Sequence, residues 1–180
     1  MRSFIPRSEH LKHKRKKRRR EWWPYFFAAM VIAILVRLYA LEPYDVSGDS
    51  MQKNINSSDL VMINKFIYHF TKPTPNEVIV FQATKESKYI KRVIAVAGQT
   101  VEAENNKILV DGDLIEEPYL NSSSRTTDFN LVEVPAGHVF VLGDNRMESR
   151  DSRHIGTVSL DQIIGRAELI YWPLGDMKFL

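Results

Sequence analysis

The sequence predicts a mainly β protein, with a barrel-like β domain behind one N-terminal transmembrane helix. Three observations carry this. A basic stretch is followed by a 20-residue, mostly apolar run, Trp22–Leu41. Beyond it the apolar segments shorten to four to eight residues rich in Val, Ile, Tyr and Phe, as strands are. Between them stand turn signals such as Pro73-Thr74-Pro75-Asn76, Asn105-Asn106 and Asp111-Gly112-Asp113.

The elements follow in order. Residues 1–21 hold ten Lys/Arg against two acids, and residues 22–180 hold 15 Lys/Arg against 20 Asp/Glu, so a net charge of +3 hides a basic tail and an acidic remainder. About 20 apolar residues span the hydrocarbon core as a helix. Trp22, Trp23, Tyr25, Phe26 and Phe27 crowd the start of the run, where aromatic residues favour the interface. Pro24 sits in the first turn, where its missing N–H costs little. Arg37 lies four residues from the end and can carry its guanidinium to the interface on its long stem. Positive charge stays on the cytoplasmic side, which puts residues 1–21 inside as a cytoplasmic tail, 22–41 in the cell membrane as a single pass, and 42–180 outside. Small residues suited to signal-peptide cleavage are missing around Tyr39–Asp45, apart from Ala40, so the run reads as an uncleaved anchor. The basic cluster is assigned to topology and anionic lipid rather than to nucleic acid.

Strands are expected at Leu60–Asn64, Glu77–Gln82, Tyr89–Val96, Thr100–Ala103, Lys107–Val110, His138–Leu142 and Arg166–Trp172, with a hairpin at Asn105-Asn106. A short helix is expected at Ser159–Ile164, capped by Ser159. Asn121–Asp128 reads as a polar, mobile loop, and the region near 105–135 as a small insertion in the β domain. The chain has no cysteine, which excludes a disulfide framework and thiolate metal sites. There is no His-Glu-x-x-His pattern, and His10, His13, His69, His138 and His154 are scattered.

Lys91 stands out on physical grounds. In the strand YIKRVIAVA, alternation places it with Tyr89, Val93 and Ala95, and places Arg92 with Ile90 and Ile94. A strand apolar on both faces is buried. Burial disfavours an ammonium and lowers a lysine pKa from its usual value of roughly 10.4. Such a lysine can take up a proton, whereas an arginine stays charged and serves structure.

Four segments follow one another: SGDSM (Ser47–Met51), SSDLVMINKF (Ser57–Phe66), YIKRVIAVAG (Tyr89–Gly98) and GDNRMESRDSR (Gly143–Arg153). In this order and spacing, behind a basic-flanked anchor, they resemble the boxes of type I signal peptidases, serine proteases with a Ser–Lys dyad. The resemblance covers most of residues 42–172. It implies a membrane-bound endopeptidase that removes N-terminal signal peptides from exported preproteins, cutting after small side chains in an A-x-A-like pattern. Ser50 would be the nucleophile and Lys91 the general base. Ser149 would position the lysine amine, Asp151 and Arg153 would shape the site, and Asp144 and Arg146 would support the loop. The Ser50 backbone N–H would donate to the oxyanion. Some relatives supply a second donor from a serine two positions earlier; here that position is Gly48, so the Gly48 region offers no hydroxyl. The resemblance implies no cofactor or metal. Signal-peptide-bearing preproteins and membrane lipid are the expected partners of a monomer, with no nucleic acid.

The chemistry suits these residue types, because a serine hydroxyl is a poor nucleophile until a base removes its proton, and lysine is one such base. Lys53 and Asn54 stand where the resemblance leads one to expect Pro and Thr, which relaxes the loop beside Ser50 and adds a cation near it. Ser58 stands where glycine is common before Asp59. The competing reading is a catalytically weak or silent membrane-tethered β domain that binds exported chains.

Overall fold

The computed structural model describes residues 22–39, 41–121 and 123–180, in two units that divide between Ala40 and Leu41. The basic tail, residues 1–21, lies outside the described residues. In the first unit, helix α1 spans Trp23–Tyr39, 17 residues or about 25 Å at 1.5 Å per residue. No helix among the described residues is long and apolar enough to cross a membrane. The run expected to be helical through Leu41 ends sooner, because Leu41 is already the first residue of a strand. Side chains 22–34 of this unit are all exposed.

The second unit is built from β1 (Leu41–Asp45), β2 (Leu60–Asn64), β3 (Val78–Gln82), β4 (Lys88–Val96), β5 (Thr100–Glu104), β6 (Lys107–Val110), β7 (Asp113–Leu114), β8 (Phe129–Glu133), β9 (His138–Leu142), α2 (Ser152–Ile155), β10 (Val158–Ser159), β11 (Ile163–Trp172) and β12 (Lys178–Phe179). The main sheet runs β1-β2-β11-β3-β4-β9-β10, with β12 also on β11. All pairings are antiparallel. The sheet curls into a half-barrel, with β1 and β10 as open edges. A second sheet, β7-β6-β5-β8, stands on the long excursion between β4 and β9.

Every expected strand is present, with ends moved by a few residues. Asn105 and Asn106 both have positive φ (53° and 67°) and join Glu104 to Lys107, the left-handed pair that a two-residue hairpin needs. The expected helix at Ser159–Ile164 is a correction. Ser159 does cap a helical turn, but the turn is 3-10 and covers only Leu160–Gln162, with Gln162 completing a capping box. Ile163 and Ile164 instead begin β11, where they pack against the cores of the sheet.

Strand β4 is the spine of this unit, feeding all three apolar clusters. Ile90 packs with Val61, Ile63 and Ile170; Ile94 and Ala95 pack with Val101, Ile108 and Phe140; Val93 packs with Ile79, Phe81 and Val141. A register shift between Val93 and Ala95 breaks the expected alternation, so Ala95 joins the cluster of Ile94 rather than continuing the face of Lys91. A strand packed this fully cannot drift, which fixes whatever its polar side chains carry.

Candidate active site

Residues 49–55 form a compact turn between β1 and β2. Gln52 N–H donates to the Asp49 carbonyl, and the Asn54 and Ile55 N–H groups both donate to the Met51 carbonyl. Met51 and Ile55 are fully buried, pinning the turn to the core. Burial of each such side chain contributes about 1.5–3 kcal/mol. Ser50 rides at the head of this turn, half-buried, with its hydroxyl facing β4. Among the described residues its backbone N–H donates to no other group. Two residues earlier, Gly48 has φ +93° and open space where a side chain would stand.

The Lys91 amine donates to Ser50 Oγ at 2.7 Å and to the carbonyl of Ile90 at 2.8 Å. Lys91 is only 3% exposed, and its amine lies 5.2 Å from the centre of the Tyr89 ring. Burial lowers its pKa from the ordinary lysine value to about 8, against a smaller upward pull from Asp151 and Asp144. Both oxygens it touches are neutral, so no carboxylate in direct contact anchors the charge.

Its neighbour Arg92 has the opposite environment. The guanidinium makes a bidentate pair with Asp144, at 2.9 and 2.6 Å, donates to the Asn76 carbonyl and lies 4.0 Å over the Tyr119 ring. Buried charges persist when paired in this way. Arg146 is likewise enclosed, donating to Glu117, to Thr126 Oγ1 at 2.8 Å and to the Gly143 carbonyl at 3.1 Å. Arg153 holds both oxygens of Asp151 and reaches the Arg146 carbonyl at 2.7 Å. Burial pushes the Asp151 carboxyl up, but bonds from Arg153 and from the Gly143 N–H outweigh this and hold it below the usual range.

Thus the structure brings Ser50 and Lys91 into contact, and gathers Asp144, Arg146, Asp151 and Arg153 into an adjoining shell of ion pairs. Ser149 sits close by. Its hydroxyl is the one buried side-chain polar atom without a hydrogen-bond partner among the described residues. It lies near enough to Asp151 to favour the ionised carboxylate, though outside hydrogen-bonding geometry.

Gly143 explains how these groups fit. A Cβ there would lie 2.2 Å from Ser149 Oγ and 2.5 Å from the Ser50 carbonyl oxygen. Only a bare backbone lets Ser149 and the Ser50 turn approach from two sides. Nothing in the GDNR segment itself marks this glycine for that role. Asn145 was missed in the same segment. Its backbone N–H donates to the Ser50 carbonyl and its side chain to the Asp49 carbonyl, both at 3.0 Å. Glu117, Tyr119 and Thr126 enter the shell from the excursion that carries the second sheet, and no sequence signal marks them. Within the loop at Asn121–Asp128, Thr126 is buried and bonded to Arg146.

Two expectations about the loop change in detail. Lys53 is exposed and lines a cavity of about 250 Å³ with Asp59, Asp176 and Lys178. Ser58 has φ +75°, a left-handed conformation that explains why glycine would be at ease there. No group of three or more His, Asp or Glu side chains among the described residues could hold a metal ion.

Comparison with known proteins follows the same outline. A family model described as "Signal peptidase, peptidase S26" matches residues 19–172. The signal peptidase I of Bacillus caldolyticus is 38% identical over 164 residues, which cover 84% of this chain and 90% of that one. Signal peptidase IB of Staphylococcus aureus is 33% identical over 168 residues, covering 84% and 88%. The crystal structure of a signal peptidase I from Enterococcus faecalis is 30% identical and covers 53% of this chain and 97% of that one, with a TM-score of 0.48.

Proposed function

Because this chain belongs to the S26 family of signal peptidases, and is therefore a signal peptidase hydrolase, we propose that it cuts by a serine–lysine mechanism, with Ser50 as nucleophile and Lys91 as general base. The observation that carries this reading is the 2.7 Å contact between a serine hydroxyl and a buried amine whose pKa is lowered to about 8. A general base must lie within hydrogen-bond reach of the proton it removes and be neutral near the working pH.

The steps follow from that geometry. Neutral Lys91 accepts the Ser50 hydroxyl proton as Ser50 Oγ attacks the scissile carbonyl of the preprotein. The free Ser50 N–H donates to the resulting oxyanion, and such a donor contributes roughly 3 kcal/mol. The ammonium then gives its proton to the departing amine, which leaves an acyl ester on Ser50. Water, deprotonated by the same amine, attacks the ester; the acyl C–O bond breaks, the ammonium returns the proton to Ser50 Oγ, and the signal peptide is freed. The resemblance assigns Ser149 to orienting the amine between these steps; in the resting site its buried hydroxyl has no partner and makes no bond to Lys91. Asp151 and Arg153 hold the Gly143 backbone in place, and the Asp144–Arg92 and Arg146–Glu117 pairs fix the flanking walls.

The apolar run, which ends where β1 begins at Leu41, serves as a single membrane anchor, with the N-terminus cytoplasmic and the β unit outside. The support for this is the run itself and its basic flank. Only eight residues, 42–49, separate Leu41 from Ser50, which suits a substrate cut close to the lipid surface. The substrate is the signal-peptide end of an exported preprotein, with small residues flanking the bond.

The test is incubation of a purified precursor with the full chain and with Ser50→Ala and Lys91→Ala, followed by mass spectrometry. The parent should release the mature protein at one bond after a small residue, and both variants should lose at least about 10³-fold in rate. Substantial cutting by either variant would overturn the assignment.

A further inference from the structure

We propose that Asn54 is a positioning residue for this reaction, a second tie that sets the Ser50 hydroxyl against the Lys91 amine. The inference rests on the roles given to Ser50 and Lys91 above. The Asn54 side chain uses both hydrogens of its carboxamide. One goes to Asp144 Oδ2 and the other to the Tyr119 carbonyl, each at 2.8 Å.

Those two acceptors belong to different parts of the unit. Asp144 is clamped by Arg92, and Arg92 is the chain neighbour of Lys91 on β4. Tyr119 lies on the excursion that carries the second sheet, its ring stacked beneath the Arg92 guanidinium. A closed ring of contacts results. It runs from Ser50 through its turn to Asn54, across to Asp144, on to Arg92, one residue along β4 to Lys91, and back through the amine to Ser50 Oγ.

The turn therefore has an anchor at each end. Asn145 holds the carbonyls of Asp49 and Ser50 at the front. Asn54 holds the rear, four residues after Ser50. Met51 and Ile55 secure the turn against the core but are apolar, and apolar contacts fix depth better than they fix direction. A directional bond at the rear stops the turn from rotating about those two side chains. A shift of 1 Å in a reacting group costs on the order of a hundredfold in rate.

Removing the Asn54 carboxamide also leaves the Asp144 carboxylate with one donor fewer. The charged groups around the Lys91 amine are Asp144 and Asp151, each paired to an arginine (Arg92 and Arg153), with Arg146 and its partner Glu117 behind them. A less compensated Asp144 favours the ammonium form of Lys91. The neutral amine then appears only at higher pH.

The experiment uses the full chain in detergent micelles and the variant Asn54→Leu, which keeps the branched outline and removes both donors. Competent sites are counted with a serine-directed acylating probe, and cleavage of a signal-peptide substrate is measured across pH. The expected result is a kcat per competent site lowered about tenfold or more, KM within about twofold, and an acid limb of kcat/KM moved alkaline by about a few tenths of a pH unit. If Asn54→Leu does not fold, Asn54→Ser, too short to span both acceptors, is measured in the same way. Rates per competent site within twofold of the parent, with an unmoved limb, would show that Asn54 serves stability alone and would overturn the inference while leaving the Ser50–Lys91 reading intact. A parent that neither cleaves nor becomes acylated would overturn both.

Discussion

Lys91 and Arg92 are adjacent on one strand and both buried, yet one face of β4 keeps its cation and the other is built to lose it. Arg92 points into a cage of one carboxylate, one carbonyl and one aromatic ring. Lys91 points at a hydroxyl and a carbonyl, with the nearby carboxylates already engaged by arginines. A guanidinium is also the more basic and the more weakly hydrated cation, so residue type and direct contacts act in the same sense. The arginines therefore do two jobs. They satisfy Asp144 and Asp151, and by doing so they keep those charges from holding the lysine protonated.

The largest effect expected from breaking this contrast is on Lys91 itself. Lys91→Met should abolish cleavage, a loss of at least about 10³-fold, while raising stability near neutral pH. The sign follows from linkage. The folded-state pKa of about 8 lies below the unfolded value of 10.5, so the unfolded chain binds more protons between those limits. The parent is therefore penalised below pH 8 and regains stability as pH rises from 8 to 10.5. The methionine variant lacks that dependence, and thermal unfolding across pH would reveal it. A parent whose stability is flat over this window would contradict the buried-amine account.

Gly143→Ala comes next. The added methyl group collides with backbone and with the Ser149 side chain, so Ser50 or Ser149 must move. Activity should fall on the order of a hundredfold, with about 1–3 kcal/mol lost in chemical denaturation. Near-parental kcat/KM would mean that the tight approach is not needed for turnover.

Arg92→Met sharpens the other face. It strands the Asp144 carboxylate in a buried setting, which costs about 3–5 kcal/mol. It also leaves that charge free to act on Lys91, so the acid limb of any surviving activity should move to higher pH. A smaller change is expected far from both cations. Ser58→Gly relieves a left-handed residue at φ +75° and should stabilise by about 1 kcal/mol with no change in pH profile.

The strands and their hairpin were legible because short β-branched runs and Asn-Asn chemistry are local signals. The Ser159 cap was legible for the same reason, but the helix behind it was overestimated. What stops it is the packing of the half-buried Ile163 and Ile164 against the sheet's cores, a tertiary demand that a cap cannot reveal. Lys91 was visible as a cation in apolar company, and the motif around it brought Ser50 into view. The bulge at Val93–Ala95 was hidden, since nothing local distinguishes a shifted register from a straight one. The need for a bare backbone at Gly143 is not legible in the sequence, because it arises only when two distant segments press on it. Asn54 looked like a departure from expectation, and its two bonds depend on Asp144 and Tyr119, 90 and 65 residues away.

The most direct measurement is an NMR titration of the Lys91 side chain in the intact protein, followed through isotope-labelled lysine and assigned by its loss in Lys91→Met. The account predicts a midpoint near pH 8, well below that of an ordinary lysine. A midpoint at the ordinary lysine value, with the amine fully cationic at pH 9, would contradict it.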